Sequence, residues 1–440
     1  MIGPSTYFRP EHRDALDAHT RALVDRREAV LAPGYRLFYE RPLEFVRGHG
    51  TKLYTRDGDE YLDVYNNVPS VGHAHPRVVA AIAEQAARVN THTRYLHASL
   101  AEYAETLLAA LPAGLDALSL TCTGSEANDL ALRVARHATG HRGVLVTRHA
   151  YHGVTASVAE VSPSLGGPDS IGPDVRLIAP PVGDGGAMIE DARHAIDSLV
   201  ASGAGVAALL IDTSFASDGF IAPSAATAAS LDQVARAVRA AGGLVIADEV
   251  QPGFGRLGPA LWGSALHGLE PELLTLGKPM GNGYPVAALA ARRSVMESFG
   301  RDVRYFNTFA GTPVAVAAAR ATWEVLHDEG LPAHAERAGE NLLAGLHEVA
   351  SRHPHATNAR GRGLYAALDI VHAESGEPDE ATTIRLVNAL RERRVLISAS
   401  GPHNAALKIR PPLPFSGADI DRFLTALDAA LTEVADAPNG

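Results

Sequence analysis

From about residue 75 to 320, short apolar runs alternate with stretches of helical periodicity. The runs are Ala117–Thr121, Gly143–Thr147, Val206–Asp212, Leu244–Asp248, Leu273–Leu276 and 286–290. Apolar runs of strand length, separated by helix-length segments, predict an α/β layer built on a mostly parallel sheet. Ligands of such sheets gather at the carboxyl ends of the strands. Before this region, residues 14–31 read as an amphipathic helix, and 43–65 as short strands around an Asp-Gly turn at 56–59. After about 322 the pattern predicts a second α/β unit. It holds a long helix at 333–351, a strand at 364–370, a helix, another strand and a final helix at 418–435. The Gly- and Ser-rich stretch 162–172 is a loop between strands. The expected division is an N-terminal helix and small-domain segment (1–65), a large domain (66–321) and a C-terminal small domain (322–440).

With 440 residues, the chain exceeds the size of one hydrophobic core, so two or three domains are expected. A net charge of −11 leaves no basic surplus to neutralise phosphates, which argues against nucleic-acid binding. One cysteine, Cys122, excludes an intrachain disulfide framework and suits a reducing compartment. No signal-peptide pattern opens the chain, and no apolar run approaches the ~20 residues of a membrane span. A cytoplasmic protein without membrane contact is expected.

Only Lys52, Lys278 and Lys408 are lysines, so 36 of the 39 basic residues (39 − 3) are arginines. A composition so biased replaces lysine wherever a generic positive charge is enough. Lys278 stands in Gly277-Lys278-Pro279-Met280-Gly281-Asn282-Gly283, directly after an apolar run. A lysine amine forms a Schiff base and an arginine does not, so Lys278 is a candidate covalent anchor, although a lysine after a strand is ordinarily just solvated.

Three further runs carry chemistry. In Thr121-Cys122-Thr123-Gly124-Ser125-Glu126-Ala127-Asn128, small residues lie between a strand and a helix expected over 129–138. Free N–H groups and the helix dipole favour an anion there, and a plain helix cap is the simpler reading. Asp248 ends a buried strand, where its carboxylate needs a partner. A heteroaromatic N–H⁺, a metal or an ion pair would serve. Tyr305-Phe306-Asn307-Thr308-Phe309-Ala310-Gly311 precedes an Ala-rich helix and is either a second phosphate-contacting turn or a cap. Two patterns mislead. The spacing Gly253-Phe254-Gly255-Arg256-Leu257-Gly258 matches a dinucleotide fingerprint, but Pro259 follows where a helix should open. His73 and His75 look like a metal pair, yet no Cys or acidic cluster completes it, so no metal is expected.

In this order, these sites resemble the class III aminotransferase family of pyridoxal-phosphate enzymes, fold type I, over residues 40–430. Asn66-Asn67-Val68, Gly72–Pro76, Thr93-Arg94-Tyr95-Leu96-His97, Ala150-Tyr151-His152-Gly153 and Lys408-Ile409-Arg410-Pro411-Pro412 belong to the same resemblance. It implies a large domain with a mostly parallel sheet flanked by helices, and a smaller α/β domain made from both ends of the chain. It also implies that Gly124 and Ser125 hold the cofactor phosphate and that Tyr151, with His152 beside it, stacks on the ring. Asp248 would pair with the pyridine nitrogen, Gln251 approach the ring hydroxyl and Lys278 form the Schiff base. Thr308 would reach the neighbouring subunit's cofactor, which implies a homodimer with composite sites.

Within the family the chain looks closest to the phospho-lyases, which act on phosphoethanolamine or 5-phosphohydroxylysine. The substrate face departs from the pattern. Asp212-Thr213-Ser214-Phe215-Ala216-Ser217 stands where transaminases carry Glu-Pro-(Ile/Val)-Gln-Gly-Glu, so Ser217 replaces the acidic gate of an arginine, matched here to Arg360. Without the gate, Arg360 is expected to stay available to an anionic group. Tyr284, Val154 and Ser70 also differ from the branch. Arg94, Arg360, Tyr284 and Ser217 are the candidate substrate contacts, with Arg410 a further arginine to consider. The expected activity is elimination or replacement of a β or γ leaving group on a small amine or amino acid, phosphorylated ones included. The alternatives are amino transfer to a keto acid and a catalytically silent binding protein.

Overall fold

The structure, a computed structural model, describes residues 6–436. The ends of the expected first and last segments, 1–5 and 437–440, lie outside the described residues. At the centre is a seven-stranded sheet in the order Ala117–Thr121, Ala287–Ala291, Leu273–Leu276, Leu244–Asp248, Val206–Asp212, Gly143–Thr147 and Val175–Ile178. Ala287–Ala291 runs antiparallel to both of its neighbours, while the five strands from Leu273–Leu276 to the far edge pair in parallel. Its central strands are apolar on both faces because helices cover both. On one face Ile246 joins the cluster of Leu130, Val134 and Val144, whereas Leu145, Leu209 and Ile211 pack on the helices Gly186–Ala201 and Ala225–Ala240.

The two ends of the chain meet. Strand Val395–Leu396 pairs in parallel with Glu60–Asp63, completing a four-stranded sheet begun by Phe45–His49 and Lys52–Thr55. A second four-stranded sheet holds Ala356–Arg362, Tyr365–Ile370, Ala406–Ile409 and Ser398–Ser400. Helices Leu331–Arg352, Glu380–Glu392 and Gly417–Asp436 accompany it. Near the N-terminus, the amphipathic stretch expected over 14–31 divides. The Asp17 carboxylate accepts from the N–H groups of His19 and Thr20, so the helix Ala18–Val30 starts after it, and Pro10–Ala15 forms a separate 3₁₀ turn. Among the described residues, no helix is long and apolar enough to cross a membrane.

The glycine-rich run after Asp248 joins the two halves of the molecule instead of opening a helix. Arg256, 1% exposed, donates through Nη1 to the carbonyls of Leu364 (2.9 Å) and Pro411 (2.7 Å). Burial, with Arg410 close by, draws its guanidinium down to about 9. Backbones touch at this junction. Gly363 has φ +54°, and a Cβ there would lie 2.4 Å from the Arg256 carbonyl oxygen. On helix Leu331–Arg352, a Cβ at Gly339 would lie 2.0 Å from the Gly363 oxygen.

In an ordinary helix, Gly→Ala stabilises by about 1 kcal/mol. Gly339→Ala is expected to do the opposite, because the added methyl meets a fixed carbonyl and overpacking costs about 1–3 kcal/mol. Thermal unfolding checks the sign; a higher melting temperature would show that the junction has room to spare.

Candidate active site

Three parallel strands end side by side. Asp212 is in register with Asp248, and Asp248 with Thr275, three residues before Lys278. Loops and helix starts around these ends enclose a cavity of about 350 Å³. Gly124, Ser125, Tyr151, His152, Asp212, Asp248, Gln251, Lys278 and Tyr284 all line it.

Asp248 is 4% exposed and fully engaged. Its Oδ2 accepts from His152 Nδ1 (2.7 Å) and Asn128 Nδ2 (2.9 Å), and its Oδ1 from the Val250 N–H (3.0 Å). Asn128 is itself fixed, since its Oδ1 accepts from Thr275 Oγ1 (2.7 Å) and its Nδ2 also donates to the His152 carbonyl. A carboxylate held this way is oriented toward the cavity as an acceptor. Burial and then Asp248 push the Tyr151 hydroxyl above its ordinary range.

Lys278 follows the strand with a backbone φ of +27°, uncommon for a residue with a Cβ. Backbone strain of this kind persists where a side chain has to be aimed. Desolvation, and then the Arg410 guanidinium, bring its amine down to about 8, against the pull of Asp248 and Asp212. A lysine near neutrality is a nucleophile at ordinary pH.

On the opposite wall the helix Gly124–Thr139 begins. Thr123 caps it by accepting from the Glu126 N–H, so Thr-Gly-Ser supplies both the cap and the first turn, and the helix starts earlier than 129. The N–H groups of that first turn have no intrahelical acceptor. Backbones crowd here: a Cβ on Gly124 would lie 2.9 Å from Val250, and one on Gly153, at φ +140°, 2.4 Å from Ser125 Oγ. The same Ser125 Oγ accepts from the Val154 N–H (3.2 Å). Glycines therefore leave a small cradle of donors that suits a phosphate. With a buried carboxylate for a ring nitrogen and a lysine for an aldehyde, the donor set fits pyridoxal phosphate.

The other residues singled out in the sequence lie elsewhere. Arg360 is not available to an anion: it pairs with Asp369 (2.8 Å) and donates to the carbonyls of Phe220, Asn358 and Gly219. It borders a separate cavity with Asp218 and His403. Arg94 is exposed, with its guanidinium over the Phe306 ring at 3.8 Å. Ser217 and Thr308 do not line the cavity within one chain, and Thr308 is exposed. Arg410 does not line the cavity either, but it donates to Oε1 of the lining residue Gln251 and lies over the Tyr65 ring at 4.6 Å. His73 and His75 pair with Asp63 and Glu329, and among the described residues no group of His, Cys, Asp and Glu could hold a metal ion. Cys122 borders the cavity, but burial raises its thiol to about 11, which leaves it unreactive.

Sequence reasoning missed Asn128, Asp212 and the Arg410–Gln251 contact. Asn128 carried a signal: it falls four residues after Gly124, on the same face of the helix.

The model of the aminotransferase class-III family matches residues 38–431. The ethanolamine-phosphate phospho-lyase homolog 1 of Caenorhabditis elegans is 36% identical, covering 93% of each chain. The alanine–glyoxylate aminotransferase 2-like protein of Drosophila melanogaster is 37% identical over 93% of this chain and 87% of its own. Among solved structures, a phospholyase from Arthrobacter in complex with phosphoethanolamine superposes with a TM-score of 0.89 at 44% identity, covering 94% of this chain and 100% of that one. An S-selective transaminase from Arthrobacter sp., 24% identical with a TM-score of 0.82, covers 95% of this chain and 99% of its own and shares the fold. The chain belongs to the class III aminotransferase family of pyridoxal-phosphate enzymes.

Proposed function

We propose that the protein is a phospho-lyase that eliminates phosphate from a small amino phosphate ester, of which phosphoethanolamine is the model, leaving an enamine that one water hydrolyses to ammonia and an aldehyde. The observation that carries this reading is the fate of Arg360. A two-substrate amino transfer needs an arginine that is released to bind a keto acid's carboxylate. Here Arg360 is committed to Asp369 and three carbonyls, and Ser217 offers no acidic group to exchange with it. The relatives named phospho-lyase, at 36% and 44% identity, support the same reading.

Pyridoxal phosphate supplies an electron sink for the carbon that carries the substrate's amine. The chain's residues do the rest. Asp248, fixed by Asn128 and His152, keeps a proton on the ring nitrogen. The N–H groups of the first turn after Thr123 and the Ser125 hydroxyl would hold the cofactor phosphate, with Tyr151 beside the ring. Lys278 would hold the cofactor's aldehyde carbon and, at its amine, would carry a proton between the substrate carbon and the departing group. Arg410, which holds the lining residue Gln251, would be the guanidinium next to the cavity for an anionic substrate group.

The same reading makes the enzyme a homodimer in the cytoplasm. Leu96 is 102% exposed and Phe309 72%, with Tyr95 and Phe306 nearby on an uncovered face that also carries Thr308. Apolar groups gathered like this mark an interface.

Three outcomes are expected. Purified holoenzyme releases phosphate and ammonia from phosphoethanolamine without any keto acid, and Lys278→Ala loses both this activity and the visible cofactor absorbance. Turnover that stops unless a keto acid is present would instead make it an aminotransferase. Loading of cofactor-free protein with pyridoxal phosphate accelerates as pH rises through about 8, because the uncharged form of Lys278 is the nucleophile; a flat rate profile would refute that assignment. Light scattering is expected to give twice the chain mass, and a monomer with full activity would exclude composite sites.

A further inference from the structure

The turn that carries Lys278 is held from both sides. Lys278–Gly281 is a single 3₁₀ turn, closed where Asn282, at φ +48°, donates its N–H to the Pro279 carbonyl (3.1 Å). Ahead of the turn, Gly277 lies against the helix start that follows Thr123: a Cβ there would come within 3.3 Å of the Gly124 nitrogen. Behind it, the Asn282 side chain reaches a loop 211 positions earlier in the chain. Its Oδ1 accepts from the Val71 N–H (3.0 Å) and its Nδ2 donates to the Gly72 carbonyl (2.9 Å), while Ser70 Oγ donates to the Pro279 carbonyl (3.2 Å). The loop is itself anchored, because the Leu413 N–H donates to the Ser70 carbonyl (2.7 Å) and His73 exchanges backbone hydrogen bonds with Gly50. Val68 on this loop and Lys278, Gly283 and Tyr284 on the other segment line the same cavity.

Asparagine suits this place twice. It tolerates a left-handed backbone better than most side chains, and its amide offers a donor and an acceptor together. Glycine would meet the backbone requirement by itself, so the side chain is there for the cross-link. Lys278 needs that support, since its own φ of +27° is unfavourable for a residue with a Cβ. We infer that Asn282 is a positioning residue for Lys278: by pinning the loop at Val71 and Gly72 to the lysine's turn, it keeps the amine aimed into the cavity and holds two of the cavity's walls together. Ser70 supports the same joint through Pro279. The role goes beyond the phospho-lyase reading, because a lysine aimed at a cofactor aldehyde is needed whichever group leaves the substrate.

The test follows the visible absorbance as cofactor-free protein takes up pyridoxal phosphate, with thermal unfolding measured alongside. Asn282→Gly keeps the left-handed backbone and removes both side-chain bonds. It is expected to slow loading by about tenfold or more, because small displacements of a reacting group are costly in rate. Ser70→Ala removes one bond and is expected to slow loading by about threefold. Gly339→Ala, which lowers stability at the contact with Gly363, should load at the wild-type rate and so separates positioning from stability. The inference is overturned if Asn282→Gly loads as fast as wild type, or if Gly339→Ala slows loading as much as Asn282→Gly does. Should Asn282→Gly fail to fold, Ser70→Ala decides, and loading at the wild-type rate overturns the inference equally.

Discussion

A carboxylate at the end of a buried strand cannot stand alone, and the neutralisation of Asp248 organises the elements around it. Each of its contacts comes from a different part of the chain: Asn128 from the helix after Thr123, His152 from the loop after Gly143–Thr147, and Val250 from its own turn. Thr275 then ties Asn128 to the strand that delivers Lys278. The hydrogen bonds that make Asp248 tolerable thus set the helix start after Thr123, the loop of Tyr151 and His152 and the lysine in fixed relation. An unsatisfied buried acceptor costs about 1–3 kcal/mol, and more when charged, so the network has little freedom to rearrange.

A second constraint acts where the halves of the chain join. Arg256 and Arg410 are like charges, both buried, and among the described residues neither pairs with a carboxylate. Carbonyl oxygens of Leu364 and Pro411 and the amide oxygen of Gln251 take that role. Neutral acceptors satisfy the hydrogen bonds without cancelling the charge, so a positive potential remains at the cavity's edge. The sequence that looks like a nucleotide-binding loop is thereby explained: its glycines let backbones approach, and its arginine fastens the C-terminal segment.

Much of this was legible in the chain. Apolar runs located all six strands they were used to predict, within a residue, because strands covered by helices on both faces carry few polar residues. Lys278 stood out by composition, and the helix start by Thr123-Gly124-Ser125. What stayed hidden depends on distant pairs. An apolar run does not reveal its direction, so the inverted strand Ala287–Ala291 looked like its neighbours. Ala356–Arg362 is a strand without an apolar pattern, since it sits at a sheet edge with polar residues outward. The partners of Arg360 and Arg410 lie far away in sequence, and no local spacing distinguishes an arginine bound to carbonyls from one facing a cavity.

The scarcity of lysine has a consequence for covalent chemistry in solution. Lys278 and Lys408 are enclosed, and Lys52 is partly covered with Glu60 at 3.7 Å. A carbonyl compound in solution therefore meets a protein surface with a single accessible side-chain amine. Reductive trapping on a lysine side chain from solution falls on Lys52 and reports on the surface, so a mass added at Lys278 would mark a carbonyl held in the cavity.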